Sequence, residues 1–358
     1  MPFKKEHLAS LIQVAIDNKA SDIHIREGEA PALRIKGELY PVKSNRQFTY
    51  KDIEDISRIV GALKKIDDNL TSINEVDGAY EIENVSRLRY NVFRFADRYG
   101  IIFRIINMNI PTIAELNLSS TLYQICENKR GLILVTGATG SGKTTTLAAM
   151  INHINENKQA HIVTIEDPIE FLHPQKKCRI SQREIGKDTP DFMSALRSAL
   201  RQDPDIILIG ELRDAETIST ALKASETGHL VIGTVHTKNV ISTVGRLISM
   251  FPQEEQEEAR KRISESLQAV ICQRILKSNS KQGVVVAQEI CITSPGVREC
   301  ILGEEPLARL NNIMAKSHGC QTFDGHIMKL YQDGLISKEV ALETVSSQSD
   351  FLQKLIVE

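Results

Sequence analysis

Apolar residues recur at helical spacing near the start of the chain, where Leu8, Leu11, Ile12, Ala15 and Ile16 form one stripe. The pattern then changes to the alternation of half-buried strands, at Ile23 and Ile25 and again at Leu33, Ile35 and Leu39, with Gly28-Glu29-Ala30-Pro31 between them. Two further alternating runs, residues 87–94 and 98–104, predict a β-hairpin that carries arginines on a half-buried sheet. Ile110-Pro111-Thr112 closes this region, because proline interrupts a strand and holds its predecessor extended.

Beyond residue 111 the pattern is different. Short, nearly continuous apolar runs at 131–136, 161–165, 205–209 and 230–234 alternate with helical stripes such as Leu147, Met150, Ile151 and Ile154. Strands that alternate with helices predict a parallel sheet covered by those helices. Thr189-Pro190 ahead of Met193, Leu196 and Leu200 predicts a helix start with proline in its first turn. From about residue 304 short helical patterns are broken by Gly and Asp. The expected organisation is an α/β domain over residues 1–110 and a second over 111–358, the latter ending in a small helical extension.

Composition narrows the class. With 358 residues, 41% of them hydrophobic and 25% charged, the chain has enough apolar material for two globular cores. A net charge of −2 removes the basic bias that draws proteins onto nucleic acid, so no nucleic-acid partner is expected. No run approaches 18 consecutive apolar residues, which predicts a cytoplasmic protein that reaches a membrane only through partners. The 6 cysteines include no C-x-x-C pair, so they read as reduced thiols and not as a zinc site.

The candidate chemistry begins at Gly137-Ala138-Thr139-Gly140-Ser141-Gly142-Lys143-Thr144, a complete G-x-x-x-x-G-K-[ST] loop between a buried strand and an amphipathic helix. Such a loop turns its backbone amides toward phosphate, and its glycines let the chain approach closely. Lys143 reaches the β- and γ-phosphates, Thr144 offers its hydroxyl to Mg²⁺, and Thr145 follows in the same first helical turn, aimed at the anion. The chain therefore binds a nucleoside triphosphate, with ATP and Mg²⁺ as the expected cofactors.

In a doubly wound sheet ligands sit beyond the carboxyl ends of the strands. The later strands lead into Glu166-Asp167-Pro168-Ile169-Glu170 and Gly210-Glu211-Leu212-Arg213-Asp214, and the fourth is bracketed by His229 and His236. Phosphoryl transfer to water needs a carboxylate for the water, carboxylates around Mg²⁺ and cations on the transferring group. Glu211 is the expected base; Gly210 stands where many ATPases carry a magnesium-binding aspartate, which passes that task to Glu166 and Asp167, partly through water. His229 and His236 are expected to sense the γ-phosphate. In the second half only Lys143 is an evident cation for that phosphate, which turns attention to the arginines of the first half.

With these residues in place, the chain resembles the type IV pilus retraction ATPases, the PilT/PilU branch of the type II/IV secretion ATPases. The resemblance rests on residues 137–144 as Walker A, 164–170 as the Asp box, 203–214 as Walker B and 227–237 as the His box. It implies a PAS-like N-terminal domain and a RecA-like P-loop ATPase domain. It implies a homo-hexameric ring that powers pilus retraction, at the inner face of the inner membrane through a pilus platform protein. A second pilus ATPase is a further possible partner. It also implies that N-terminal arginines, with Arg98 and Arg104 foremost, close over the γ-phosphate. The family's A-I-R-N-L-I-R-E segment is here Gly296-Val297-Arg298-Glu299-Cys300-Ile301-Leu302-Gly303, which leaves open a principal or an accessory motor. A pilus-assembly or type II secretion ATPase is the alternative within the family, disfavoured by the short N-terminus and the missing cysteine quartet. A nucleotide-gated binding module with little turnover is the alternative outside it, disfavoured by Glu211 and Glu166.

Overall fold

The computed structural model describes residues 2–35, 37–43, 47–63, 68–82, 86–106, 110–279 and 283–357, and the chain divides into two units, Met1–Asn109 and Ile110–Glu358. In the first unit the elements are α1 Lys5–Asp17, β1 Asp22–Arg26, β2 Ala32–Ile35, β3 Glu38–Pro41, α2 Tyr50–Ile59, β4 Glu75–Ile82, β5 Ser86–Phe95 and β6 Arg98–Ile106. The strands form one antiparallel sheet in the order β3-β2-β1-β6-β5-β4. The alternation of the sequence becomes two faces: Ile23, Ile25, Leu33, Leu88, Val92, Ile101 and Phe103 pack with Leu8 and Ile12 of α1 and with Ile53 and Ile56 of α2. The expected hairpin is β5–β6, turned by Ala96 and Asp97, both left-handed at φ 43° and 58°, the mirror-type turn that matches strand twist.

The second unit contains α3 Thr121–Cys126, β7 Gly131–Gly137, α4 Lys143–Asn157, β8 His161–Glu166, β9 Arg179–Glu184, α5 Phe192–Ala199, β10 Ile206–Ile209, α6 Ala215–Glu226, β11 Leu230–Val235, α7 Val240–Ser249, α8 Gln256–Ser266, β12 Leu267–Lys277 and β13 Val284–Ile292. Short helices follow: α9 Pro295–Leu302, α10 Leu310–Lys316, α11 Phe323–Gln332, α12 Lys338–Thr344 and α13 Gln348–Val357. The sheet runs β13-β12-β7-β11-β10-β8-β9 and is parallel except for β13. Both faces are covered. Leu132, Leu134, Val163, Ile165, Ile207 and Ile209 face α5 to α8 and the C-terminal helices, while Ile133, Val135, Ile162, Leu208 and Ile232 face α3 and α4. Feeding two cores at once is what makes these strands read as continuous apolar runs.

Two details differ from the sequence pattern. Thr189-Pro190 does not open α5; Asp191 does, its carboxylate accepting the Ser194 amide at 2.7 Å, because an aspartate at that position satisfies an orphan N–H and a threonine two residues earlier reaches none. Four strands, β4, β9, β12 and β13, lie outside the elements expected from the pattern.

Candidate active site

Strand β7 delivers the phosphate loop and α4 takes it up. Gly137 holds φ at +147°, and a Cβ there would lie 2.4 Å from Ser141 Oγ and 2.6 Å from the Gln273 carbonyl oxygen, so no side chain fits. Gly142 caps α4 in the left-handed region, at φ +85°, which sets the helix's first amides around the loop. Lys143 is only 8% exposed and donates from Nζ to the Gly137 and Ala138 carbonyls at 3.1 and 3.0 Å. Burial lowers its pKa, while Glu211 and Glu170 pull it back up. The Ser141 hydroxyl is buried and has no hydrogen-bond partner among the described residues.

Because β7, β11, β10 and β8 are parallel neighbours, the residues that follow them meet at one end of the sheet. A cavity of about 630 Å³ opens there, lined by Thr139, Gly140, Gly142, Lys143, Thr144 and Thr145 from the loop and by Glu166, Asp167, Glu211 and His236 from the strand ends. Glu166 is 9% exposed; its Oε1 accepts from Thr164 Oγ1 at 2.6 Å and Gln182 Nε2 at 3.1 Å. Burial raises its carboxyl pKa against the pull of those donors. Glu211 is held differently: Arg213 Nε donates to Oε2 at 2.7 Å, and His236 Nε2 lies 3.3 Å from Oε1. Among the described residues no cluster of three ligating side chains occurs. Thr144, Glu166 and Asp167 on one cavity nonetheless suit Mg²⁺, which keeps its waters and takes few protein ligands beside phosphate oxygens.

Several residues in or behind the cavity wall gave no signal in the sequence as site residues. Gln182 of β9 holds Glu166 and also donates to the Phe171 carbonyl at 2.8 Å, while its Oε1 accepts the His173 amide at 2.8 Å, so one glutamine shapes the whole 166–173 loop. His173 lines the cavity with its pKa lowered by burial to about 4, which keeps it neutral at pH 7. Arg213 corrects the view of Lys143 as the one evident cation: it lines the same cavity, its guanidinium 5.9 Å from the Phe192 ring centre. Tertiary register brings Gln182 to Glu166, whereas Arg213 reaches Glu211 from two residues along the same loop.

His229 is not brought to this cavity within the chain. It precedes β11, and its carbonyl accepts from Gly131 at the start of β7, the end of the sheet opposite Gly137. The 6 residues of β11 put roughly 20 Å between the two histidines that bracket it, since a strand rises about 3.3 Å per residue. His229 Nδ1 instead contacts the Ala224 carbonyl at 2.9 Å.

The arginine face of the first unit is a cross-strand row. Asp22 stands opposite Arg34 on one side and Arg104 on the other, and Arg104 stands opposite Arg89. Arg104 Nε donates to Asp22 Oδ1 at 2.9 Å, its side chain 66% exposed against 6% for Asp22. Two arginines directly opposed on a sheet repel unless an anion lies between them or beside them. Arg98 stands six residues before Arg104 on the same strand, roughly 20 Å along it, with its guanidinium beside Gly28.

Comparison with known proteins follows the same lines. The family model described as Type II/IV secretion system protein matches residues 2–329. The "Twitching motility protein" of Neisseria gonorrhoeae is 48% identical over 269 residues, 75% of this chain and 72% of that protein. The "Type IV pilus retractation ATPase PilT" of Pseudomonas aeruginosa is 40% identical over 353 residues, 96% of this chain and 99% of that one. A crystal structure of the pilus retraction motor PilT with bound ADP superposes with a TM-score of 0.87 at 39% identity, covering 96% of this chain and 98% of the other.

Proposed function

The chain belongs to the Type II/IV secretion system protein family and is an ATP-hydrolysing enzyme, and from that premise we propose that its work is the retraction of a type IV pilus. The observation that carries the reading is the match to PilT from end to end, which includes the N-terminal unit as well as the nucleotide-binding one. The working form is a ring of six copies docked on a platform protein at the inner face of the inner membrane. No helix among the described residues is long and apolar enough to cross a membrane. The domains are the N-terminal one up to about residue 110 and the ATPase domain beyond it, in keeping with the two units of the fold.

The loop amides and Lys143 would hold the phosphates of ATP, with Thr144 toward Mg²⁺ and Asp167 reaching that ion through water, which leaves Glu166 free of the ion. Magnesium, when bound, neutralises charge on the β- and γ-phosphates. The surroundings of the two glutamates argue for a division of labour different from the one the sequence suggests. A general base needs a proton affinity near the working pH, and burial moves Glu166 in that direction. Glu211, held by Arg213 and facing His236, is placed as a relay between the γ-phosphate and His236. Glu166 therefore takes the water's proton. Arg104, with Arg89 or Arg34 beside it and not with Arg98, supplies the second unit of positive charge.

Helix α9 keeps only the buried half of the family segment: Val297, Cys300 and Ile301 pack in the core, while Arg298 is exposed. A shared load with a second retraction ATPase fits that divergence. Deleting the gene and counting surface pili tests the direction of work. Retained or increased pili with reduced twitching are expected; bald cells with unassembled pilin would mean that the chain builds pili.

A further inference from the structure

Glu289 is a buried carboxylate that the hydrolytic scheme above does not use. It sits on β13, 4% exposed, opposite Cys272 of β12. Its Oε2 accepts the backbone amide of Val240 at 2.7 Å, and Val240 is itself 1% exposed. That amide is the first of α7, one of the N–H groups that a helix cannot satisfy internally. Burial raises the Glu289 pKa, and the Val240 amide and the Arg274 guanidinium oppose the rise, in that order.

What makes this contact consequential is the segment it anchors. Helix α7 begins four residues after His236, the side chain that faces Glu211 across 3.3 Å. The intervening loop is tied on its inner side by a second set of contacts. Thr237 Oγ1 lies 2.7 Å from Thr243 Oγ1, which donates to the Asn239 carbonyl at 2.8 Å and stands 3.9 Å from Cys272 Sγ. Cys272 Sγ in turn accepts from Thr136 Oγ1, one residue before the phosphate loop, at 2.9 Å. The loop that bears His236 is thus tied from below to β12 and β13, in addition to its own Asn239 cap on α7 and the Thr237–Thr243 contact.

We propose that Glu289 is a positioning residue for hydrolysis: by holding the first amide of α7 it fixes the 236–239 loop and so keeps the His236 imidazole against Glu211. The inference rests on the assignment of His236 and Glu211 to the hydrolytic site. Without the carboxylate the Val240 amide is buried and unpaired, the turn shifts to find a partner, and the imidazole moves with it.

The test is steady-state ATP hydrolysis by the full-length protein, with sites counted by binding of a fluorescent ADP analogue. Glu289→Ala should lower kcat per binding site about tenfold while KM for ATP stays within about threefold, the signature of an interaction realised in the transition state. Combined with His236→Ala it should cost nothing further, because both changes remove the same contact. Glu289→Gln should stay within about threefold of wild type, since its carboxamide oxygen still accepts the Val240 amide. If Glu289→Ala does not fold, Glu289→Asp, which withdraws the carboxylate by one methylene, should show the same non-additivity with His236→Ala. Additive losses, or a wild-type kcat in both Glu289→Ala and Glu289→Asp, overturn the proposal alone. A wild-type rate in His236→Ala overturns the assignment of His236 and this proposal together.

Discussion

The two units of this chain handle the same raw material, strands and covering helices, in opposite ways. In Ile110–Glu358 the strands run parallel, so every loop that follows a strand arrives at one end of the sheet, and Lys143, Glu166, Glu211 and His236 share one cavity although 93 residues separate the first from the last by number. In Met1–Asn109 the strands are antiparallel, so loops alternate between the two ends and chemistry gathers on a face: the row Arg34, Asp22, Arg104, Arg89 runs across four strands. A parallel sheet concentrates groups at a point, and an antiparallel sheet spreads them over a surface. A point suits the making and breaking of bonds; a face on which three arginines surround one aspartate suits clamping an anion presented from outside.

The sharpest way to break that comparison is to remove the charge at the point. Lys143→Ala should weaken ATP binding by at least about 100-fold, the order of 3 kcal/mol for a desolvated charge pair, while thermal stability stays nearly unchanged because Nζ holds only two loop carbonyls. Equilibrium binding of a fluorescent ATP analogue, with a melting curve alongside, decides it; tight binding in the variant would remove the phosphate loop from the mechanism.

Glu166→Gln should bind ATP and lose hydrolysis by about 10²- to 10⁴-fold, more than Glu211→Gln loses, if the buried carboxylate is the base. The same variant makes a pH prediction. A carboxyl whose folded pKa is raised contributes its stability below the unfolded pKa and loses it as pH rises through the folded value, so at pH 8 the charged, buried Glu166 destabilises the fold. Replacing it by Gln should then raise Tm by a few degrees at pH 8, on the order of 1 kcal/mol, and the gain should shrink toward pH 4. A pH-independent difference in Tm would show that the carboxyl titrates normally.

Arg104→Ala tests the surface. Turnover should fall about tenfold or more with ATP affinity changed much less, because an arginine on the transferring phosphoryl group acts chiefly in the transition state. The variant also leaves Asp22 with Arg34 at 3.9 Å as its remaining ion pair among those described, so Asp22→Asn is the needed companion and should keep its kcat. Equal losses in both variants would mean that the row only holds the first unit together.

The smallest effect is expected at His229. His229→Ala removes the contact to the Ala224 carbonyl and should cost about 1 kcal/mol of stability with kcat within about twofold. A tenfold loss of kcat would mean that His229 serves a cavity other than that of its own chain.

Elements whose signals are local were legible without the structure. The phosphate loop, its strand and its helix are dictated by glycines at fixed spacing and by one helical stripe, and the structure places residues 131–157 accordingly. Strand β12 was not legible, since a run such as Leu267-Gln268-Ala269-Val270-Ile271-Cys272 is as consistent with a buried helix as with a strand. His229 shows a subtler loss. Two histidines flanking a strand look like a pair in sequence, yet a strand carries its ends apart.

The local patterns of the chain pointed to a phosphate loop at residues 137–144, to carboxylates after the strands near it and to two α/β parts that divide near residue 110, because backbone conformation and side-chain periodicity are set over a few residues at a time. Contacts between residues far apart in the chain followed from the packed sheet. Gln182 on Glu166, Arg213 beside Phe192 and Glu289 under α7 each depend on strand order and register, and neither is written in any local run of residues.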